Sequence, residues 1–342
     1  MAASTPTRPL PPFRLAPVFS ERVWGRPNLR PWYPETGTDQ LVGEAWLTGP
    51  ACLIETGPLA GRTLASAVQE FPGEILSAAT TSSAPEFPLL IKLLFPNDKL
   101  SVQVHPDDVQ AQAIGQPRGK TECWYVLEAE PGATVALGLR PGVTLEQLAA
   151  SAHDNTMESL IEHVPVSIGD MVYVDAGTVH AIGPGVVLLE TQQTSDITYR
   201  LYDYGRPREL HLDQGLRVVR TQTSAGKIAP QAIDGFTRLI AQRYFTVDRF
   251  DLPAGSATAI PTSGLSSCLI SLSGAGRVST AAGTVELLPG KAVIVPASST
   301  QPTVEATTPL TVIHCFEPPP ADFSPSQAKK PGRGVDFFRH EG

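Results

Sequence analysis

The sequence predicts a mainly β protein, two related small barrels with one helical segment, on three observations. Short apolar runs recur at regular spacing with Gly or Pro between them. The 342 residues include 33 Pro and 29 Gly against 18% charged residues, a composition of many turns and few long helices. The run Leu100–His105 alternates with period two, whereas a capped helical pattern marks one long stretch.

Taken in order, residues 1–12 read as a flexible lead-in. From Phe13 to Gly49, Trp24, Trp32, Tyr33 and Trp46 lie among prolines and glycines, which predicts irregular structure with short strands covering a larger core. Thr63 to Gln69 suits one short helix, punctuated by Phe71-Pro72-Gly73. Strands are predicted over Leu89–Leu94, Leu100–His105, Lys120–Ala129 and Thr134–Leu139. Thr144 to Val164, within a 143–164 segment, is the helical region, with Thr144 and Gln147 spaced as a capping box. Strands resume over Met171–Val174, Val179–Ile182, Val186–Gln192 and Ile197–Tyr202. These elements place a first domain at 13–220, a linker at 221–235, a second β-rich domain at 236–317 and a flexible tail at 318–342. In the second domain Pro289-Gly290 before Ala292–Val295 echoes Gly169-Asp170 before Met171–Val174, so the two domains read as related barrels.

Charge narrows the function. With 26 Lys and Arg against 34 Asp and Glu, the net charge is −8, which argues against a nucleic-acid partner. No apolar run approaches the roughly 18 residues of a membrane span, and Met1 to Pro17 lacks the apolar stretch of a secretory signal. The four cysteines are widely spaced and form no CxxC pair, as in a cytoplasmic protein with reduced thiols.

Strand parity locates the chemistry. Side chains two apart share a face, so Ser101, Gln103 and His105 lie together, as do Lys120, Glu122 and Trp124, and Thr198, Arg200 and Tyr202. If the polar faces look inward, their buried groups need partners, and a metal supplies them. The ligand set that emerges is His105, Glu122 and His180, with Gln103 as a fourth; nitrogen and carboxylate oxygen suit Zn²⁺ or another borderline divalent ion. The bland alternative for each histidine is a hydrogen-bonded core or surface residue. It is kept for His153, His163, His211, His314 and His340, which have no matching neighbours. For Lys120 the alternative is a solvated lysine, and for Arg200 an ion pair with Asp196 or Asp203.

Five stretches in order make a resemblance: residues 88–94 (PLLIKLL), 100–108 (LSVQVHPDD), 119–125 (GKTECWY), 176–183 (AGTVHAIG) and 198–204 (TYRLYDY). Together they resemble the type I mannose-6-phosphate isomerases, in their short bacterial form, from about Phe13 to Arg220 and more weakly beyond. The resemblance implies two cupin-like (jelly-roll) barrels, the first catalytic. It implies zinc-dependent interconversion of mannose 6-phosphate and fructose 6-phosphate through an enediolate. It assigns Gln103, His105, Glu122 and His180 as zinc ligands, Arg200 as catalytic and Lys120 as an aid to proton transfer. Ser101, Lys92 and Arg206 stand where relatives hold the phosphate. The second domain lacks the ligand motif, so one zinc per chain is expected. The expected partner is a small sugar phosphate, with no membrane or nucleic acid; the sequence leaves monomer and homodimer open.

In this reading the metal acts as a Lewis acid, Arg200 faces the developing negative oxygen, and Lys120 shuttles a proton with its pKa depressed by the metal and Arg200. Two rivals share the cupin fold. An Fe-dependent oxygenase uses a similar triad, but His105 is followed by Pro106-Asp107-Asp108 instead of the H-x-H spacing common in such enzymes. A non-catalytic sugar-phosphate binding protein has no need of both Lys120 and Arg200.

Overall fold

A computed structural model describes residues 9–76, 85–262 and 264–319. It is mainly β, in four antiparallel sheets. Two sheets carry the first half of the chain. A seven-stranded one orders Gly226–Ile228, Met171–Val174, Glu122–Ala129, Val186–Gln193, Leu89–Leu94, Tyr33–Trp46 and Val18–Leu29. A five-stranded one orders Tyr199–Tyr202, Val102–Val104, His180–Ile182, Thr134–Leu139 and Ile161–Pro165. The second half forms a seven-stranded and a four-stranded sheet. Phe13–Leu15, first in the chain, pairs with Ala292–Val295 in the second half.

Leu89–Leu94 is buried at every position, with Leu89, Ile91 and Leu93 in the largest apolar cluster and Lys92 on the opposite face. The largest apolar cluster crosses between the halves: Leu89, Ile91 and Cys123 pack in the same core as Cys268, Ile270, Ile313 and Cys315. All four cysteines are buried and free. No helix among the described residues is long and apolar enough to cross a membrane.

Several elements differ from the sequence-based expectation. The region 13–49 holds two long antiparallel strands, Val18–Leu29 and Tyr33–Trp46, whose pairing shifts register at several irregularities. Bulges of this kind accommodate prolines and glycines inside a strand. Gly25 is one such point: a Cβ there would lie 2.4 Å from the Val42 backbone. The capping box of Thr144 and Gln147 forms, but the helix spans only Leu145–Asp154. Asn155 adopts a left-handed φ of 62° and stops it. A 3-10 turn follows, and Ile161–Pro165 becomes an edge strand with Ile161 inward and Glu162 and His163 exposed. The segment expected as a linker contains Gly226–Ile228 and Gln231–Ile233, each adding an edge to a different sheet. Short helices at Asp108–Gln112 and Leu212–Val218 were not foreseen. The lead-in and tail fall mostly in 1–8 and 320–342, outside the described residues.

Candidate metal centre

Two rows of side chains, one from each sheet of the first half, build the site. In the five-stranded sheet Arg200 and His180 both pair with Gln103, on its two sides. Directly opposed residues on paired strands share a face, so the three line up across the sheet. In the seven-stranded sheet Trp124, Glu190, Lys92 and Trp46 form a second row, and Glu122 lies opposite Gln192 one step along. Parity puts Glu122 on the same face as Trp124, whose Nε1–H donates to Glu122 Oε1 at 3.1 Å.

His105, Glu122 and His180 are all buried, and one ligand atom from each lies within 4.8 Å of the others. His105 Nδ1 lies 2.8 Å from the Ile197 carbonyl and His180 Nδ1 lies 2.9 Å from the Thr178 carbonyl. A carbonyl only accepts, so each Nδ1 carries the proton and each Nε2 presents a lone pair. Those lone pairs face the Glu122 carboxylate, at 3.6 Å for His105 and 3.4 Å for His180. His105 Nε2 and Glu122 Oε2 have no hydrogen-bond partner among the described residues. Protons do not relieve this opposition of acceptors. Burial first, then the charge of Lys120, pushes His105 well below the ordinary imidazole value. Burial likewise pushes His180 down to about 4. A cation relieves it, and two imidazoles with a carboxylate are a suitable donor set. The Gln103 carboxamide is 3.2 Å from His180 Nε2, and a half-turn of that amide presents its oxygen instead.

Lys120 Nζ is 3.3 Å from Glu122 Oε2 and nearly inaccessible to solvent. Burial alone would lower its pKa, but Glu122, Glu190, Asp196 and Glu44 together raise it above the ordinary lysine value. Arg200 donates Nη1–H to the Glu209 carbonyl at 2.7 Å, while its buried Nε has no partner among the described residues. No ion pair joins Arg200 to Asp196 or Asp203 among the described residues.

Lys92 is buried in the second row, 3.5 Å from both Glu190 and Asp196, with Nζ 4.7 Å from the Trp46 ring centre. Ser101 is buried on the strand side that parity shares with Gln103 and His105. Arg206 is tied elsewhere: to Asp98 at 2.8 Å, to Asp203 at 3.1 Å and to the Lys99 carbonyl at 2.7 Å. None of these belongs to the ligand cluster.

Glu190, Gln192, Glu44 and Trp46 join the site without having been singled out for it by the sequence. Glu190 and Gln192 had a signal, a polar run Glu190-Thr191-Gln192-Gln193 in the second half of a strand that is buried throughout. Glu44 binds Arg22 through both carboxylate oxygens and accepts from Trp46 Nε1 at 2.7 Å. Of the set-aside histidines, His153 and His163 are exposed, and His211 Nδ1 accepts from the Arg200 backbone at 3.2 Å. His314 is buried with neither ring nitrogen partnered among the described residues, and His340 lies outside them.

Residues 13–139 match the family described as phosphomannose isomerase type I, catalytic domain. The chain is 36% identical over 262 residues to mannose-6-phosphate isomerase ManA of Bacillus subtilis, covering 72% of this chain and 81% of that protein. It is 33% identical over 299 residues to mannose-6-phosphate isomerase of Streptococcus mutans, covering 83% and 92%. The crystal structure of mannose 6-phosphate isomerase from Bacillus subtilis aligns with a TM-score of 0.78 at 29% identity, over 89% of this chain and 99% of that one.

Proposed function

The chain belongs to the type I mannose-6-phosphate isomerase family, and from that premise we propose that it interconverts D-mannose 6-phosphate and D-fructose 6-phosphate with one zinc ion per chain. One observation carries the reading: two buried imidazole Nε2 atoms lie 3.6 and 3.4 Å from one buried carboxylate, with His105 Nε2 and Glu122 Oε2 lacking hydrogen-bond partners among the described residues. Gln103, His105, Glu122 and His180 would hold the ion. When bound, it supplies Lewis acidity toward the sugar oxygens.

The chain's own residues do the rest. Isomerisation carries a proton between C2 and C1 and another between the two oxygens. Negative charge gathers on the oxygens as the C–H bond breaks, and Arg200, level with Gln103 across the sheet, sets a guanidinium toward it. Lys120, with Nζ 3.3 Å from Glu122 Oε2, shuttles the proton that passes between those oxygens. Ser101, Lys92 and Arg206 are assigned to the phosphate, the two cations sharing it with the carboxylates they already hold. A chain of net charge −8 binds an anion through such local fields. The buried free cysteines fit a cytoplasmic location.

The test is turnover of mannose 6-phosphate by chelator-stripped and zinc-reloaded protein, with other aldose phosphates alongside. Turnover should vanish on stripping and return with zinc. Full turnover by metal-free protein would end the zinc assignment, and no turnover by loaded protein would end the isomerase reading.

A further inference from the structure

Lys120 does its work from a loop, ahead of the strand Glu122–Ala129. What holds that loop is therefore part of the chemistry. Its backbone is fixed at three successive residues. Gly119 N–H donates to Asp108 Oδ1 at 2.9 Å, and Lys120 N–H donates to the Pro106 carbonyl at 3.0 Å. Thr121 N–H donates to Gln193 Oε1 at 2.9 Å, and Gln193 N–H returns to the Thr121 carbonyl at 3.2 Å. Gln193 Nε2–H in turn donates to Asp108 Oδ1 at 2.9 Å. The loop also presses on the segment before it: a Cβ on Gly119 would lie 2.5 to 2.7 Å from backbone atoms of Pro106, Asp107 and Asp108.

The remaining oxygen of Asp108 is taken from the other half of the chain. Tyr244 O–H donates to Asp108 Oδ2 at 2.8 Å. Tyr244 lies in the turn between Phe236–Ala241 and Thr246–Leu252 of the C-terminal sheet. That half grips the same loop once more, where Arg118 meets Glu317 at 3.2 Å.

We infer that Asp108 and Tyr244 are positioning residues for Lys120: the C-terminal half acts on the reaction through one phenol, one carboxylate and the 119–121 backbone. The inference rests on the isomerase reading above. The hydrogen bonds that converge on Asp108 outweigh its burial and hold its carboxyl below the ordinary aspartate value, so it stays a carboxylate able to accept all three donors. Tyr244 orients it, much as an outer partner orients a catalytic group through a second hydrogen bond. Displacement by an ångström is enough to lower turnover up to about a hundredfold.

Two variants and one background test this. Tyr244→Phe removes a single hydroxyl and should lower kcat about three- to tenfold, with KM and zinc content unchanged. Asp108→Asn should lower it by about thirtyfold or more. In a Lys120→Ala background, Tyr244→Phe should leave the residual kcat unchanged. Equal losses with and without Lys120 would show a merely structural role and overturn the inference, as would unchanged kcat in the single variant. A second readout needs no turnover. Amide hydrogen exchange across 119–121 should quicken in zinc-loaded Tyr244→Phe relative to the unmodified protein, and unchanged exchange would also overturn it. Should the unmodified protein fail to isomerise mannose 6-phosphate, the functional reading falls, and the exchange measurement still decides whether Tyr244 holds the loop.

Discussion

Both halves of the chain turn a histidine and an acidic residue into a sheet interior, and their fates differ. In the first half His105, Glu122 and His180 converge, each imidazole locked by a backbone carbonyl so that its free lone pair points at the carboxylate. In the second half Asp248 and His314 lie directly opposite on paired strands, both fully buried. There the carboxylate takes two hydrogen bonds from Arg238, at 2.8 and 3.0 Å. His314 is left among aromatic rings, 5.0 Å from Phe316 and 6.4 Å from Phe250 between centres. Neither of its nitrogens, nor nearby Ser267 Oγ, has a partner among the described residues. Parity alone thus buries polar groups in both places. A chelate needs more: a second imidazole, a carboxylate not neutralised by an arginine, and carbonyls that fix the tautomer.

The largest effect should come from dismantling the first cluster. His180→Ala should lose the metal and, with it, at least about a thousandfold in turnover, since ligand loss removes the Lewis acid outright. Metal content by elemental analysis checks this, and a metal-loaded, fully active variant would refute the ligand set. Lys120→Ala comes next. It leaves all four proposed ligands in place, so it should keep zinc while kcat falls about 10²- to 10⁴-fold. Full turnover in the metal-replete variant would remove Lys120 from the mechanism.

Why these residues were legible, and others not, follows from the range of the interactions. Parity is local, so Gln103 with His105 and Lys120 with Glu122 and Trp124 could be read from neighbouring positions, although His105 and Lys120 lie just beyond the ends of the strands Val102–Val104 and Glu122–Ala129. Register is not local. Nothing near Gln103 says that Arg200, 97 positions on, and His180, 77 on, flank it in one row. The acidic surroundings of Lys120 have the same root, since Glu44, Glu190 and Asp196 act on it from separate segments of chain. At 143–164 the capping box correctly marked the start of a helix, but no pattern of apolar residues announced that Asn155 would turn left-handed and release a strand. The tie between Tyr244 and Asp108 spans the two halves and depends on their docking.

The smallest effect sharpens the contrast from the second half. His314→Leu should leave turnover and zinc content unchanged, because none of the proposed ligands or catalytic groups touches that interior. It should alter stability instead. An unpartnered buried imidazole costs about 1–3 kcal/mol of desolvation, which an apolar side chain of similar size avoids. The variant should therefore be somewhat more stable near neutral pH. Burial, with a smaller contribution from Arg238, pushes His314 down to about 3 from the usual 6.5. Between those values the unfolded chain binds a proton that the folded chain refuses, so folding weakens as pH falls through 6.5 and levels off only near 3. Each pH unit in that window costs up to about 1.4 kcal/mol. Denaturant midpoints at pH 7.5 and pH 5 should consequently separate further at the lower pH, His314→Leu losing less than the unmodified protein. Parallel losses would mean that the imidazole is solvated or paired, and the second interior would then resemble the first more closely than the geometry says.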